Sequence, residues 1–188
     1  MTPPRPADNP FASHRVDSLS YRFIGPDVGD LLDALARHGG RGAVLGPHGS
    51  GKTTLLDTLE RHLGGAVVRA RLDTRTARAV DHVLRRLPAA LGPDHAILLD
   101  GAEQLGWWTW RQVRRATAEA GRLVITSHRP GRLPTILECR TSPALLAELV
   151  GELDPATADA VDLDALFTRH RGNLRLCFRE LYDLHAGR

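Results

Sequence analysis

Residues 42–63 read GAVLGPHGSGKTTLLDTLERHL, and this stretch decides the fold of the chain. A short apolar run, Ala43–Leu45, has the character of a buried strand, and helical periodicity runs from Lys52 to Leu63. The loop between them matches the phosphate-binding pattern GxxxxGK[ST] in full, in the strand–loop–helix setting that the pattern requires. The predicted nucleotide contacts are Gly46, Pro47, His48, Gly49, Ser50, Gly51, Lys52, Thr53 and Thr54, with Pro47 and His48 at variable positions of the pattern.

The chemistry of this loop explains its residue types. Glycines let several backbone N–H groups point at one anion, and the helix that follows adds the positive end of its dipole. Lys52 is the only lysine of the chain, since the other 24 basic residues are arginines. We expect Lys52 to reach the β- and γ-phosphates of a nucleoside triphosphate, and the Thr53 hydroxyl to ligate Mg²⁺.

Further strand and helix patterns extend outward from this loop. Helical spacing alternates with apolar runs, which predicts an α/β fold with a parallel sheet covered on both faces. The predicted strands are Ala43–Leu45, Ala66–Leu72, Ala96–Leu99, Leu123–Thr126 and Thr135–Cys139. The predicted helices of this part are Asp27–His38, Lys52–Leu63, Thr76–Leu91 and Trp107–Ala120.

The pattern becomes helical only from Ser142 onward. Three amphipathic helices are predicted there, Pro143–Leu153, Leu163–His170 and Asn173–His185, separated by the breaks Asp154-Pro155 and Arg171-Gly172. Residues 1–10 hold four prolines and predict an extended or disordered arm. The predicted organisation is an N-terminal arm at 1–20, an α/β core at 21–141 and a helical lid at 142–188.

Three polar positions at predicted strand ends are candidates for the reaction. Asp100 ends an apolar strand, where a carboxylate can hold Mg²⁺ through water. Glu103 follows it closely and is the predicted water-activating base, although a helix-start acid or a surface ion pair would also explain it. Thr126 or Ser127 ends the next strand and could hydrogen-bond the γ-phosphate or the attacking water. Simple strand termination explains that position equally well.

One arginine and a tryptophan cluster complete the candidate residues. Arg175 lies one turn into the last helix after a Gly-Asn turn, from which it could touch the γ-phosphate of a bound nucleotide. Trp107, Trp108 and Trp110 lie at the start of one helix, where adjacent tryptophans cannot share a face, so at least one is expected to be exposed. An exposed aromatic side chain suggests a protein interface.

Charge, cysteine content and hydropathy bear on three further questions: a nucleic-acid partner, a structural metal and the location of the protein. The net charge is +3, with six acidic residues and no Arg or Lys in residues 141–168, so nucleic acid is a conceivable but weakly supported partner. Cys139 and Cys177 lack CxxC spacing and the chain shows no Cys/His cluster, which favours reduced thiols and no structural metal. The sequence shows neither a signal peptide nor an apolar run long enough for a membrane span, so a cytoplasmic protein is expected.

In their order the motifs resemble those of the AAA+ ATPases, in particular small members related to the origin-recognition and general secretion ATPases. Gly46–Thr53 looks like Walker A, Ile97–Asp100 like Walker B, Thr126 or Ser127 like sensor 1, and Arg175 like sensor 2, over about residues 20–185. The resemblance implies a P-loop NTPase fold with strand order 5-1-4-3-2 and a small C-terminal three-helix lid. It also implies ATP rather than GTP, bound with Mg²⁺ between core and lid.

Rings of subunits are common in that family, with an arginine acting across the interface, and the resemblance makes Arg129 and Arg132 the candidates here. Two departures stand out. Gly101 occupies the position at which the family usually has a glutamate, and no substrate-processing domain is visible, so any work must pass through a protein partner or self-assembly.

The resulting prediction is an ATP-binding protein with slow Mg²⁺-dependent ATPase activity that acts as a nucleotide-controlled switch or helper. Two alternatives stay open. A small-molecule or nucleoside kinase fits the size of the chain, but its lid would usually be rich in arginine, unlike residues 141–168. A nucleotide sensor without turnover is the second alternative, and Gly101 is its best support.

Overall fold

The computed structural model describes residues 8–72 and 91–187. The helix predicted at Thr76–Leu91 lies outside the described residues apart from its last position. Five strands are present: β1 (Arg41–Leu45), β2 (Ala66–Arg71), β3 (His95–Asp100), β4 (Arg122–Ser127) and β5 (Thr135–Glu138). Each lies within two residues of a predicted strand, so the apolar runs located the strands correctly.

The five strands form one parallel sheet in the order β2-β3-β4-β1-β5. Counted from the opposite edge this is 5-1-4-3-2, the order that the resemblance implied. Leu45 of β1 lies beside Ser127 of β4, and Leu99 of β3 lies beside Ile125 of β4. Because all five strands run in the same direction, β1, β3 and β4 all end at one edge of the sheet.

The central strands are buried on both faces. Leu98 and Leu99 are neighbours in β3 and each is 0% exposed, although successive side chains of a strand point to opposite faces. Burial on both faces explains why these strands read as continuous apolar runs rather than as alternating patterns. The apolar core of this part joins residues of β1 to β4 with Trp110 and Val113.

The chain divides into two compact units. The sheet unit comprises Phe23–Gly46 and Leu55–Cys139, and the helical unit comprises Met1–Arg22, Pro47–Thr54 and Arg140–Arg188. The residues of the predicted phosphate loop from Pro47 onward thus group with the C-terminal helices. The helix α3 (Lys52–His62) begins in the helical unit and continues into the sheet unit.

The sheet unit contains two further α-helices among the described residues. The helix α2 (Val28–Arg37) begins at a capping box in which Asp27 and Asp30 each accept the other's backbone N–H, and it packs against β1 and β5. The helix α4 (Trp107–Ala116) ends four residues earlier than predicted. Arg41 explains this end, because its guanidinium donates to three backbone carbonyls at residues 117–120.

Among its described residues, the helical unit contains one short N-terminal helix, α1 (Ser13–Val16), and four C-terminal helices. These are α5 (Pro143–Leu153), α6 (Pro155–Ala160), α7 (Leu163–Arg169) and α8 (Leu174–His185). The prediction of three helices in this region was therefore wrong by one. Asp154-Pro155 interrupts the chain as predicted, but proline is well suited to the first position of a helix and here begins α6.

The segment before Tyr21 contributes to the core of the helical unit. Phe11 is buried and stacks on Phe178 with ring centroids 6.3 Å apart, and the Asn9 side chain donates to the carbonyl of Tyr182. Arg22 pairs with Glu148 and with Glu152 on α5. Within the described residues, no helix is both long enough and apolar enough to cross a membrane.

Candidate functional site

The glycine-rich loop follows β1 directly and leads into α3. Gly49 and Gly51 have φ values of +73° and +83°, whereas Ser50 between them has a negative φ. Alternation of this kind turns successive N–H groups toward one side of the chain, the arrangement by which backbone nests hold anions. Lys52 folds back over the loop, because its Nζ donates to the carbonyl of Pro47 at 2.8 Å. The Ser50 hydroxyl donates to the same carbonyl at 2.9 Å, so the loop is internally cross-linked.

Within the helical unit, this loop packs closely on the start of α8. A Cβ added at Gly49 would lie 1.9 Å from Oδ1 of Asn173 and 3.2 Å from the backbone N of Arg175. Asn173 is the N-cap of α8 and accepts the N–H of Leu176. Arg175, predicted to contact the γ-phosphate, therefore has its backbone beside the loop, and it is exposed. The ring of Tyr21 also lies beside the loop, 3.3 Å from the position of a Cβ on Gly51.

In the sheet unit, the ends of β3 and β4 bring Asp100 and Thr126 together. The Thr126 hydroxyl donates to Oδ1 of Asp100 at 2.6 Å and accepts the N–H of Gly101 at 2.8 Å. Asp100 is 7% exposed and Thr126 is 0% exposed. The single hydroxyl proton of Thr126 is committed to Asp100, so Thr126 orients that carboxylate. Arg71 approaches the other oxygen, Oδ2, at 3.9 Å.

The backbone at Gly101 leaves no room for a side chain at this position. Its φ is +86°, and a Cβ there would come within 2.7 Å of the carbonyl oxygen of Leu72. The Leu72 N–H donates to the carbonyl of Asp100, which ties the residue after β2 to the end of β3. A glutamate at position 101 would be strained and would clash with backbone. Glu103, the predicted base, lies two residues later in the 3₁₀ turn Ala102–Gln104.

Glu103 is held by His128, a histidine that no motif predicted. Nε2 of His128 lies 3.1 Å from Oε1 of Glu103, and Nδ1 of His128 lies 2.8 Å from the carbonyl of Gly46. A carbonyl can only accept, so Nδ1 carries a proton. His128 thus connects the residue that opens the phosphate loop to the predicted base.

The second oxygen of Glu103, Oε2, is buried and has no hydrogen-bond partner among the described residues. Buried carboxylate oxygens are normally satisfied, and an unsatisfied one in a native site calls for a ligand or water. Asp100, Thr126, Glu103 and His128 all lie at the edge of the sheet where β3 and β4 end, which is the edge where ligands bind in open α/β sheets.

The remaining candidate residues, Ser127, Arg129 and Arg132, differ in their contacts and exposure. Ser127 is buried, and its hydroxyl donates to the carbonyl of Arg129. Arg132 stacks its guanidinium over Trp110 at 5.2 Å and donates to the carbonyl of Leu105. Burial lowers the pKa of Arg132, and the nearby carboxylate of Glu103 partly opposes that shift. Arg129 is exposed, which leaves it the more available of the two arginines considered for action across an interface.

Two residues that shape the site were missed. His128 lies directly after the predicted strand end at Thr126-Ser127, and a polar residue at that edge was a usable signal. Asn173 was read as a turn and cap, which is correct, but its contact with Gly49 depends on a fold that brings positions 124 residues apart together. No local sequence signal reports such a contact.

Comparison with known proteins assigns neither a family nor a function to the chain. No protein-family model matches the chain, and no curated protein matches it significantly. Among the described residues, no group of three or more His, Cys, Asp or Glu side chains has the arrangement of a metal site formed by protein alone. A Mg²⁺ that enters with a nucleotide does not need such a group, since it keeps several waters and uses one or two protein ligands plus phosphates.

Proposed function

We propose that this protein binds ATP with Mg²⁺ through residues 46–54 and hydrolyses it slowly, as a nucleotide-controlled switch for a protein partner or for self-assembly. The observation that supports it best is the cross-linked loop with Gly49 in left-handed conformation against the start of α8. The left-handed φ of Gly49 and Gly51 favours glycine, and a loop with this backbone can direct several N–H groups at one anion.

The residues present fit the proposed ligand. The side chain that would neutralise phosphate, Lys52, is the only lysine and is held over the loop by the carbonyl of Pro47. The Thr53 hydroxyl and the Asp100 carboxylate are hard oxygen ligands of the kind that Mg²⁺ prefers, Asp100 acting through water. When bound, Mg²⁺ would neutralise charge on the β- and γ-phosphates.

In this proposal Glu103 positions or activates the attacking water. Its Oε1 is occupied by His128, whereas Oε2 has no partner among the described residues and can accept a proton from water. Thr126 fixes the Asp100 carboxylate, and His128 fixes the glutamate. Because the acid lies on a 3₁₀ turn two residues beyond the usual position, we propose turnover that is slow compared with enzymes that carry the acid at position 101.

The switch function is assigned to α8. Arg175 is exposed on the first turn of this helix, and the helix begins against the phosphate loop through Asn173. A negatively charged γ-phosphate would attract the Arg175 guanidinium, so the position of α8 would depend on which nucleotide is bound. A partner that recognises α5 to α8 would then distinguish the ATP state from the ADP state. Among the described residues neither Cys139 nor Cys177 forms a disulfide, which suits a reducing compartment such as the cytoplasm.

The single lysine permits a direct test of binding. Acetylation with limiting acetic anhydride, followed by cleavage at arginine, reports Lys52 alone in peptide 42–61. We expect ATP with Mg²⁺ to slow acetylation of Lys52, and AMP to protect far less. In calorimetry, Lys52→Ala should weaken ATP binding about 10- to 150-fold through the loss of one charged hydrogen bond. Equal acetylation with and without millimolar ATP would refute the proposal.

Phosphate release measures turnover. Glu103→Gln should lower the rate about 10²-fold or more while ATP binding persists, and Glu119→Gln, an exposed acid, should leave it unchanged. Binding without phosphate release by the wild-type protein would instead support the nucleotide-sensor alternative.

Limited proteolysis tests the switch. ATP should change the cleavage pattern of the wild-type protein, and in the Arg175→Ala variant ATP should leave the pattern unchanged.

A further inference from the structure

The exposed face of α4 combines aromatic and basic side chains. Trp107 is 62% exposed and Trp108 is 73% exposed, although tryptophan is usually buried in large part. Trp110 and Val113, on the opposite face of the same helix, anchor it to the core of the sheet unit. The helix is thus held firmly by one face while two tryptophans project from the other.

The two exposed tryptophans form an ordered pair. Their ring centroids lie 4.5 Å apart in an edge-to-face arrangement, and the Arg111 guanidinium lies 5.8 Å from the ring centroid of Trp107. Edge-to-face packing leaves ring faces available, because only one face of one ring meets the edge of the other. The high exposure of Trp108 leaves room for another flat group to stack there.

The charge on this face has one sign. Residues 107–118 contain Arg111, Arg114 and Arg115 and no acidic residue. All three arginines are exposed, and none forms an ion pair with a carboxylate in the part of the chain that the structure describes. Arg111 and Arg115 are four residues apart, as are Trp107 and Arg111, so these side chains follow one line along the helix.

We propose that this face, made of Trp107, Trp108, Arg111 and Arg115, is a binding site for single-stranded nucleic acid. Tryptophan rings stack on bases, and arginines contact the phosphates between them. A single strand fits better than a duplex, because a duplex hides the faces of its bases within its own stack. The charge favours a polyanion, and the exposed indole rings favour one that carries flat aromatic groups. This site is separate from the phosphate loop and does not depend on ATP binding.

Intrinsic fluorescence tests the proposal on the full chain. Titration with an oligothymidylate about 12 nucleotides long, at low salt, should quench the emission of the exposed tryptophans, since stacked indoles lose fluorescence. Trp108→Ala should weaken binding about tenfold, within the range for loss of one stacked base. The double variant Arg111→Gln/Arg115→Gln should bind more weakly and reduce the slope of log K against log salt by about 1.4.

Two controls separate this site from others. Lys52→Ala should bind the oligonucleotide as the wild type does, which excludes capture of its phosphates by the loop. Arg15→Gln changes an exposed arginine elsewhere and should also have no effect. Circular dichroism of Trp108→Ala should match the wild type, because that side chain is mostly outside the core.

Three results would overturn the proposal. The first is unchanged affinity in Trp108→Ala, and the second is equal binding of a duplex of the same length. The third is a preference for polyglutamate over the oligonucleotide, which would identify this face as a docking surface for an acidic protein segment instead.

Discussion

Replacement of Gly49 by alanine tests whether the predicted phosphate loop is packed on α8 as described. The added Cβ would sit 1.9 Å from Oδ1 of Asn173, far inside contact distance, and the residue would have to keep a φ of +73°. A left-handed conformation costs a residue other than glycine about 1–2 kcal/mol. Displacement of the Asn173 side chain from its capping position costs about 1 kcal/mol more. We therefore expect Gly49→Ala to lower the free energy of unfolding by about 2–3 kcal/mol without any nucleotide present.

Gly151→Ala provides the matched control. Gly151 lies inside α5 of the same unit, and a Cβ there would meet no atom within 4 Å. The same chemical change at this position should raise stability by about 0.5–1 kcal/mol, because alanine is the better helix former. Urea unfolding followed by circular dichroism measures both variants, and the midpoint should move in opposite directions.

A second substitution separates the two parts of the cost. In an Asn173→Ser background the shorter capping side chain leaves room for the new methyl group, so Gly49→Ala should cost only the backbone strain of about 1–2 kcal/mol. If Gly49→Ala proves no more destabilising than Gly151→Ala, the loop does not contact α8. If its cost is the same in both backgrounds, the clash with Asn173 plays no part.

Three further outcomes are expected from the described contacts. Thr126→Val should destabilise the protein by about 2–4 kcal/mol in urea unfolding, since it leaves a buried carboxylate and a buried N–H without the hydroxyl, whereas Ser127→Ala should cost about 1 kcal/mol. Arg41→Met should cost about 2–3 kcal/mol by the same assay, because three carbonyls beyond α4 lose a charged donor. Burial raises the pKa of Cys177 from 9.0 to about 11, so the folded chain keeps this proton to higher pH than the unfolded chain. Its contribution is intact below pH 9 and is lost as pH rises to about 11, by at most about 2–3 kcal/mol. In a Cys139→Ala background, Cys177→Ala should remove that alkaline loss, and an identical pH profile would contradict it.

Most of the sheet could be predicted because its strands are buried on both faces. Continuous apolar runs such as Ala96–Leu99, when helical patterns separate them, are typical of the strands of a covered parallel sheet. The ends of the helices were harder to predict than the strands. The early end of α4 depends on Arg41, a residue of β1 that is distant in sequence and reaches the carbonyls of residues 117–120 only in the folded protein. The helix α6 was missed because a proline that ends one helix can also begin the next.

The residues of the candidate site also differ in whether the sequence alone could point to them. Lys52 and Asp100 are candidates from the sequence alone because each belongs to a local pattern of loop or strand end. The contacts of the Thr126 hydroxyl with Asp100 and Gly101 are not revealed by a strand-end motif. The contacts of His128 with Gly46 and Glu103 depend on the fold, in which β1, β3 and β4 end side by side. The same holds for Oε2 of Glu103, which has no hydrogen-bond partner among the described residues.

The sequence by itself determined the order of strands and helices along the chain and the phosphate-loop pattern, since periodicity and glycine spacing are local properties. Only the tertiary structure decided which distant residues meet. It put Asn173 against Gly49, connected His128 to both Gly46 and Glu103, and excluded any side chain from position 101 by placing it against Leu72. The physical reason is that such contacts depend on strand register and helix packing, which arise from burial of the whole core rather than from any short segment.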